Sequence, residues 1–94
     1  MSNSPLSSAD IDQELVKTPS WRIVNAELTR TFELADFRAA LAFVNKVGEL
    51  AEAANHHPDI DIRYNKVRLA LVTHDAGGLT TKDFSLATQI DGLG

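Results

Sequence analysis

Two adjacent histidines, His56 and His57, stand between Asn55 and Pro58 in a chain of 94 residues that has three histidines in all. Imidazole can give or accept a proton near neutral pH, so a pair of rings is a candidate acid/base centre. Glu52 precedes His56 by four residues, and on a helix that spacing puts the carboxylate beside the ring, where it can fix orientation and tautomer. One histidine at a helix end is explained by stabilisation of that terminus. A second is not, because the proline after His57 holds it extended and turns its ring another way. Two rings pointing differently suit a grip on opposite sides of one small molecule. The third histidine, His74, stands before the loop formed by Asp75, Ala76, Gly77 and Gly78, and taken alone it reads as solvated. Asp83 has a local explanation too: three residues after Thr80, it can reach back to the N–H of a helix cap. Tyr64 reads as hairpin packing.

Other chemistries fit these residues less well. The chain has no cysteine, which excludes disulfides and thiol catalysis. Zinc sites want three or four convergent nitrogen, sulfur or carboxylate ligands, and here a metal would rest on the remote His74 and a carboxylate. Gly77 and Gly78 are too few and wrongly spaced for a phosphate-binding loop. No serine-based triad is recognisable.

The elements that must position these side chains can be read from periodicity and caps. Ser7 followed by Asp10 resembles a capping box, with Ile11 and Leu15 a turn apart, so a short helix is predicted over residues 8–17 and stopped by Pro19. Trp21 and Ile23, then Leu28, Arg30, Phe32 and Leu34, alternate with polar neighbours on either side of Asn25, Ala26 and Glu27. That predicts an antiparallel hairpin. Asp36 can cap a helix reaching residue 54, with Phe37, Ala40, Leu41, Val44, Val47, Gly48 and Ala51 as its apolar stripe. Phe43 and Leu50 widen the stripe, so cover on more than one side is expected, and a partner subunit could supply it. Pro58 cannot continue this helix, which puts the histidine pair at its C-terminal end.

A second hairpin is predicted from Ile60, Ile62 and Tyr64, a turn at Asn65 and Lys66, and the alternation of Val67, Leu69, Leu71 and Thr73 ending at His74. Leu79 and Phe84 bracket Thr80 as a hydrophobic staple and open a last helix that ends near Asp91 and Gly92. The order α-β-β-α-β-β-α implies an α+β fold, a four-stranded antiparallel sheet with helices packed on one face.

Length and composition bound the rest. The chain is expected to be a single domain over residues 1–94, with residues 1–6 frayed, and its modest core makes self-association an expected remedy. Apolar and charged fractions of 44% and 23% are those of ordinary globular domains. With a net charge of −4 and no lysine or arginine run, there is no footprint for direct nucleic-acid binding. The opening "MSNSPLSS" has no signal-peptide pattern, and no apolar run approaches a membrane span, so a cytoplasmic location is the default expectation.

Taken together, the run Glu52-x3-His56-His57-Pro58-x5-Tyr64-x9-His74-x8-Asp83 resembles the active-site signature of the pterin-4a-carbinolamine dehydratases. The "THDAGGLT" of residues 73–80 and the closing "LATQID" of residues 86–91 agree as well. Weaker agreement runs upstream through Asp36 and Phe37, Phe32 and Trp21, so the resemblance covers roughly residues 6–91. It departs at Pro19 and Ser20, where a glycine often precedes the tryptophan. The resemblance implies the sheet-and-helix fold already read, and a homodimer or homotetramer. It implies dehydration of 4a-hydroxytetrahydropterin to quinonoid dihydropterin and water, which recycles the pterin of aromatic amino-acid hydroxylases without metal or organic cofactor. Residue by residue, it implies His56 and His74 as acids near the leaving hydroxyl and His57 as substrate ligand and base. Glu52 would orient His56, and Asp83 would orient His74. The roles could exchange among the three rings. The alternative is a non-catalytic dimerisation or regulatory module on the same fold, as animal relatives serve a homeodomain transcription factor.

Overall fold

A computed structural model describes residues 4–93. Helix α1 (Ser8–Lys17) is followed by β1 (Arg22–Val24) and β2 (Glu27–Glu33), helix α2 (Phe37–Ala54), β3 (Asp59–Arg63) and β4 (Lys66–Leu71), and helix α3 (Thr81–Asp91). All strand pairs are antiparallel, in the order β1-β2-β4-β3. The α+β class and the element order are those implied by the sequence.

The alternation within the strands decides which face is covered. Leu28 pairs with Leu71, Arg30 with Leu69 and Phe32 with Val67 across the two central strands. Leu28, Val67, Leu69 and Leu71 are fully buried, and they cluster with residues of α2 and α3. The opposite face carries Thr31, Asp61 and Arg68 in one cross-strand row. Asn25 and Ala26 both take left-handed angles, φ 52° and 65°, which suits the two-residue turn of the first hairpin.

The second hairpin differs from its prediction. It turns at Tyr64 and Asn65, with Tyr64 at φ 52° and 67% exposed, so Tyr64 is neither strand nor core. Asn65 fixes the turn by donating its side-chain amide to the Leu34 carbonyl at 2.9 Å. Strand β4 also stops earlier than the alternation suggested, at Leu71, and His74 opens a one-turn 3-10 helix (His74–Ala76). Gly77 follows at φ 78°, an angle that glycine adopts without strain.

Helix α2 starts where predicted, with the Asp36 side chain accepting the Ala39 N–H at 2.8 Å. Its buried line is Ala40, Phe43, Val47 and Ala51. A helix on one sheet can bury only one stripe, and the neighbouring line of Phe37 and Leu41 stays open, 48% and 41% exposed. Helix α3 is pinned at both ends. Thr80 and Asp83 form a capping box at its start, with Leu79 and Phe84 buried as the staple. At its end Asp91 Oδ1 accepts from Trp21 Nε1 at 2.8 Å and from Arg30 Nη1 at 2.6 Å.

At the N-terminus, the Ser7 side chain caps α1 by accepting the Asp10 N–H. The expected fraying of residues 1–6 falls partly outside the described residues, at residues 1–3. Within them, Leu6 is tied down: its N–H reaches the Leu79 carbonyl at 2.7 Å, and its side chain packs against the core.

Candidate active site

The histidine pair is placed by the way α2 stops. Asn55 takes φ 51°, ψ 43°, a left-handed conformation that asparagine tolerates better than most residues. Its N–H reaches the Glu52 carbonyl at 3.2 Å, and the His56 N–H reaches the Ala51 carbonyl at 3.1 Å. These are the two backbone bonds of a Schellman motif. The backbone of His56 therefore closes the helix, while its side chain leaves the helical path.

That exit changes the predicted pairings. His56 Nε2 lies 2.6 Å from Asp83 Oδ1 on α3. His57 Nε2 lies 2.6 Å from Glu52 Oε2. Glu52 thus serves His57 rather than His56, and Asp83 serves His56 rather than His74. The four-residue spacing makes neighbours only inside a continuing helix, and here a left-handed residue intervenes before His56. His74 makes no side-chain hydrogen bond or ion pair among the described residues, and it is exposed at the head of its short helix.

The two carboxylate-imidazole pairs differ in environment. The side chains of His56 and Asp83 are 11% and 0% exposed, whereas those of His57 and Glu52 are 55% and 78% exposed. A buried carboxylate needs its oxygens satisfied, and Asp83 is fully partnered. Its Oδ2 accepts from the Thr80 N–H at 2.9 Å and from the Thr73 hydroxyl at 2.9 Å. Thr73 and Thr80 hydroxyls are themselves 2.8 Å apart. The predicted cap role of Asp83 is present, and the same side chain reaches a histidine on its other oxygen.

His56, His57 and His74 all line one cavity of about 320 Å³, with Thr73, Asp75 and Lys82 among its other walls. A larger cleft of about 470 Å³ lies between β2 and α2, but it presents Phe32, Phe43, Lys46 and the Arg30–Asp91 pair and no histidine. Size alone would choose that cleft, whereas the groups able to move protons line the smaller cavity. Among the described residues, no group of three or more histidine, aspartate or glutamate side chains is arranged to hold a metal ion. Tyr64, at the far turn of the β3-β4 hairpin, lies away from the cavity.

Sequence reasoning missed three contributors. Asn55 carried a readable signal, since asparagine before a helix stop is a common left-handed cap. Thr80 was read only as a cap, and Thr73 only as a strand residue. Nothing local marks a threonine whose hydroxyl will meet a carboxylate ten residues later.

The chain's relatives share this arrangement of elements. The structure of a transcriptional coactivator/pterin dehydratase from Brucella melitensis superposes with a TM-score of 0.91 at 28% identity, covering 96% of this chain and 98% of that one. A pterin dehydratase-like protein described as a RuBisCO assembly factor in the alpha-carboxysome shares the fold, with a TM-score of 0.67 over 79% of this chain and 88% of that one. Proteins assigned as pterin-4-alpha-carbinolamine dehydratases are similar along most of their length. That of Chloroflexus aurantiacus strain J-10-fl is 65% identical over 86 residues, 92% of each chain. That of Acidobacterium capsulatum is 61% identical over 83 residues, 88% of this chain and 90% of the relative. The family profile of Pterin 4 alpha carbinolamine dehydratase matches residues 4–93, a span that holds the histidine cavity and both carboxylates behind it. With that span matched almost end to end, the chain belongs to the pterin-4a-carbinolamine dehydratase family of lyases.

Proposed function

We propose that this protein dehydrates 4a-hydroxytetrahydropterin to quinonoid dihydropterin and water, recycling the pterin of aromatic amino-acid hydroxylases, with its three histidines as the acid and base groups. The observation that carries the reading is their convergence on one cavity, with a carboxylate behind two of the rings. The reaction breaks the bond from carbon 4a to the hydroxyl and removes the proton on ring nitrogen 5. Hydroxide leaves poorly, so an acid must protonate it, and a base must accept the nitrogen proton. Each such transfer contributes about 10²–10⁴-fold.

His56 and His74 are the acids in this reading, and His57 is the base and a ligand of the ring. Glu52, on His57 Nε2, stands where it offsets the charge the ring gains on taking the nitrogen proton. Asp83 holds His56 in place from behind. Proton uptake at one ring and release at another leave the enzyme's proton count unchanged over a turnover.

The active species is a homodimer or homotetramer in this reading, with a second copy covering the open line of Phe37 and Leu41 on α2. Two large apolar side chains a turn apart and over two-fifths exposed fit an interface better than a free surface.

The deciding experiment is the loss of freshly generated 4a-hydroxytetrahydropterin with and without the protein, using the folded double variant His56→Ala/His57→Ala as control. Acceleration by the wild type alone supports the dehydratase. No acceleration by either folded protein overturns it and favours the rival, a non-catalytic dimerisation or regulatory module.

A further inference from the structure

We propose that Thr73 is a positioning residue for the reaction: its hydroxyl, donated to Asp83, keeps the proton of the Asp83–His56 pair on His56 Nε2 and so leaves Nδ1 as the ring nitrogen that exchanges a proton with substrate. The kinetic part rests on the dehydratase reading above, and the spectroscopic part does not.

The direction of the hydrogen bonds can be worked out from the partners. Asp83 Oδ2 receives two donors, the Thr80 N–H and the Thr73 hydroxyl, each at 2.9 Å. An oxygen that accepts both has no room for a proton of its own, so any carboxyl proton must sit on Oδ1, between it and His56 Nε2. Because Thr73 spends its proton on Asp83, the 2.8 Å contact between the two threonines requires Thr80 to donate to Thr73. Thr80 in turn accepts the Lys82 N–H at 3.2 Å. The chain therefore runs one way, from the first turn of α3 through Thr80 and Thr73 into Asp83. A carboxylate only accepts, so with Oδ2 taken by two donors it is Oδ1 that accepts, and the ring nitrogen facing it, His56 Nε2, is the donor.

Helix capping does not account for Thr73. The capping box is complete with Thr80 and Asp83 alone. Thr73 lies on a different segment, just past β4, and it is the residue before His74. Its backbone N–H bonds the Gly78 carbonyl at 3.3 Å, and its carbonyl accepts the Ala76 N–H at 3.0 Å, which shapes the turn that carries His74. One buried residue thus ties the segment bearing His74 to the carboxylate that holds His56. Both rings open on the same cavity, whose wall includes Thr73.

The test uses the full chain and the variants Thr73→Val, Thr73→Ser and Thr80→Ala. A ring N–H held 2.6 Å from a carboxylate gives a far-downfield proton resonance, assigned here by its loss in His56→Gln. In Thr73→Val this resonance should move upfield or vanish, and kcat should fall by about 10- to 100-fold with KM changed far less. Thr73→Ser should restore both. Thr80→Ala, which loses the cap but leaves Thr73 donating to Asp83, should lower the melting temperature while keeping the resonance. A folded Thr73→Val with the wild-type resonance and kcat overturns the proposal. Should Thr73→Val not fold, Thr73→Ala takes its place with the same readings: an upfield or lost resonance supports the proposal, and a wild-type resonance and kcat overturn it. An inactive wild type would refute the dehydratase reading, and the resonance would still decide this one.

Discussion

His56 Nε2 lies 2.6 Å from Asp83 Oδ1 across two helices, although Glu52 is the carboxylate one turn before it in sequence. The consequence is a division of labour between the two acidic residues. Asp83 is a fully buried junction of helix cap, hydroxyl chain and imidazole, whereas the Glu52 side chain bonds only the exposed His57 among the described residues. Substitutions at the two positions should therefore separate stability from activity.

Asp83→Asn can still accept the Thr80 N–H and the Thr73 hydroxyl through its amide oxygen, which leaves its NH2 facing His56 Nε2. The ring must then accept at Nε2 and carry its proton on Nδ1, the reverse of the wild-type arrangement. A stability loss of about 1–3 kcal/mol is expected from the altered buried bonds. Turnover should drop by about 10²-fold or more, with most of the loss in kcat. Thermal melting and steady-state kinetics check both, and a purely capping role for Asp83 would leave the kinetics normal.

Glu52→Gln should behave differently. The pair it forms with His57 is mostly in water, where such contacts contribute less than about 1 kcal/mol. Melting should therefore change little. Loss of the charge beside the proposed base should lower kcat/KM by a smaller factor than Asp83→Asn does. Equal or larger kinetic damage at Glu52 would contradict the ranking of the two sites.

His57→Ala removes a half-exposed ring whose side chain bonds only to Glu52 among the described residues. Folding should remain intact, KM should rise and turnover should fall. An unchanged kcat/KM in the folded variant would remove His57 from the site.

How much of this was legible in the sequence depends on the range of the interaction. Asp36, Thr80 and Pro58 announced helix ends because capping and proline geometry act within a few residues. The four strands announced themselves by period-two alternation, while their ends were misplaced by a few residues at most, as at the Tyr64 turn and the early end of β4. The partners of the histidines were not legible. Glu52 looked like the neighbour of His56 until the left-handed Asn55 took His56 off the helix. Asp83 could have met any ring that the fold brought to the start of α3, since that choice is made by the docking of α3 on the sheet. Thr73 was hidden for the same reason. The three histidines singled out by the family resemblance line one cavity, but the pairings it implied, Glu52 with His56 and Asp83 with His74, are not the ones the fold makes.

The open line on α2 yields a prediction about assembly. Leu41→Lys places a charge within the surface proposed to face a second copy, at a side chain 41% exposed in the single chain. The folded monomer has room for the lysine, so far-ultraviolet circular dichroism should be unchanged. Sedimentation at several concentrations should show a smaller species than the wild type. The same large species in both would place the interface elsewhere.

Asn55 offers the sharpest test of how the fold delivers the histidines. Its φ of 51° is comfortable for glycine and asparagine and unfavourable for a β-branched residue. Asn55→Gly should keep both Schellman bonds, melt within a few degrees of the wild type and retain activity. Asn55→Val must either carry about 1–2 kcal/mol of backbone strain or unwind the last turn of α2. For a domain of this size that corresponds to a fall of about 4–16 °C in melting temperature. Unwinding would also shift His56 away from Asp83, so the downfield His56 resonance should weaken together with kcat. If Asn55→Val loses stability while resonance and kcat stay at wild-type values, the left-handed turn is needed for the helix but not for aiming the histidine pair.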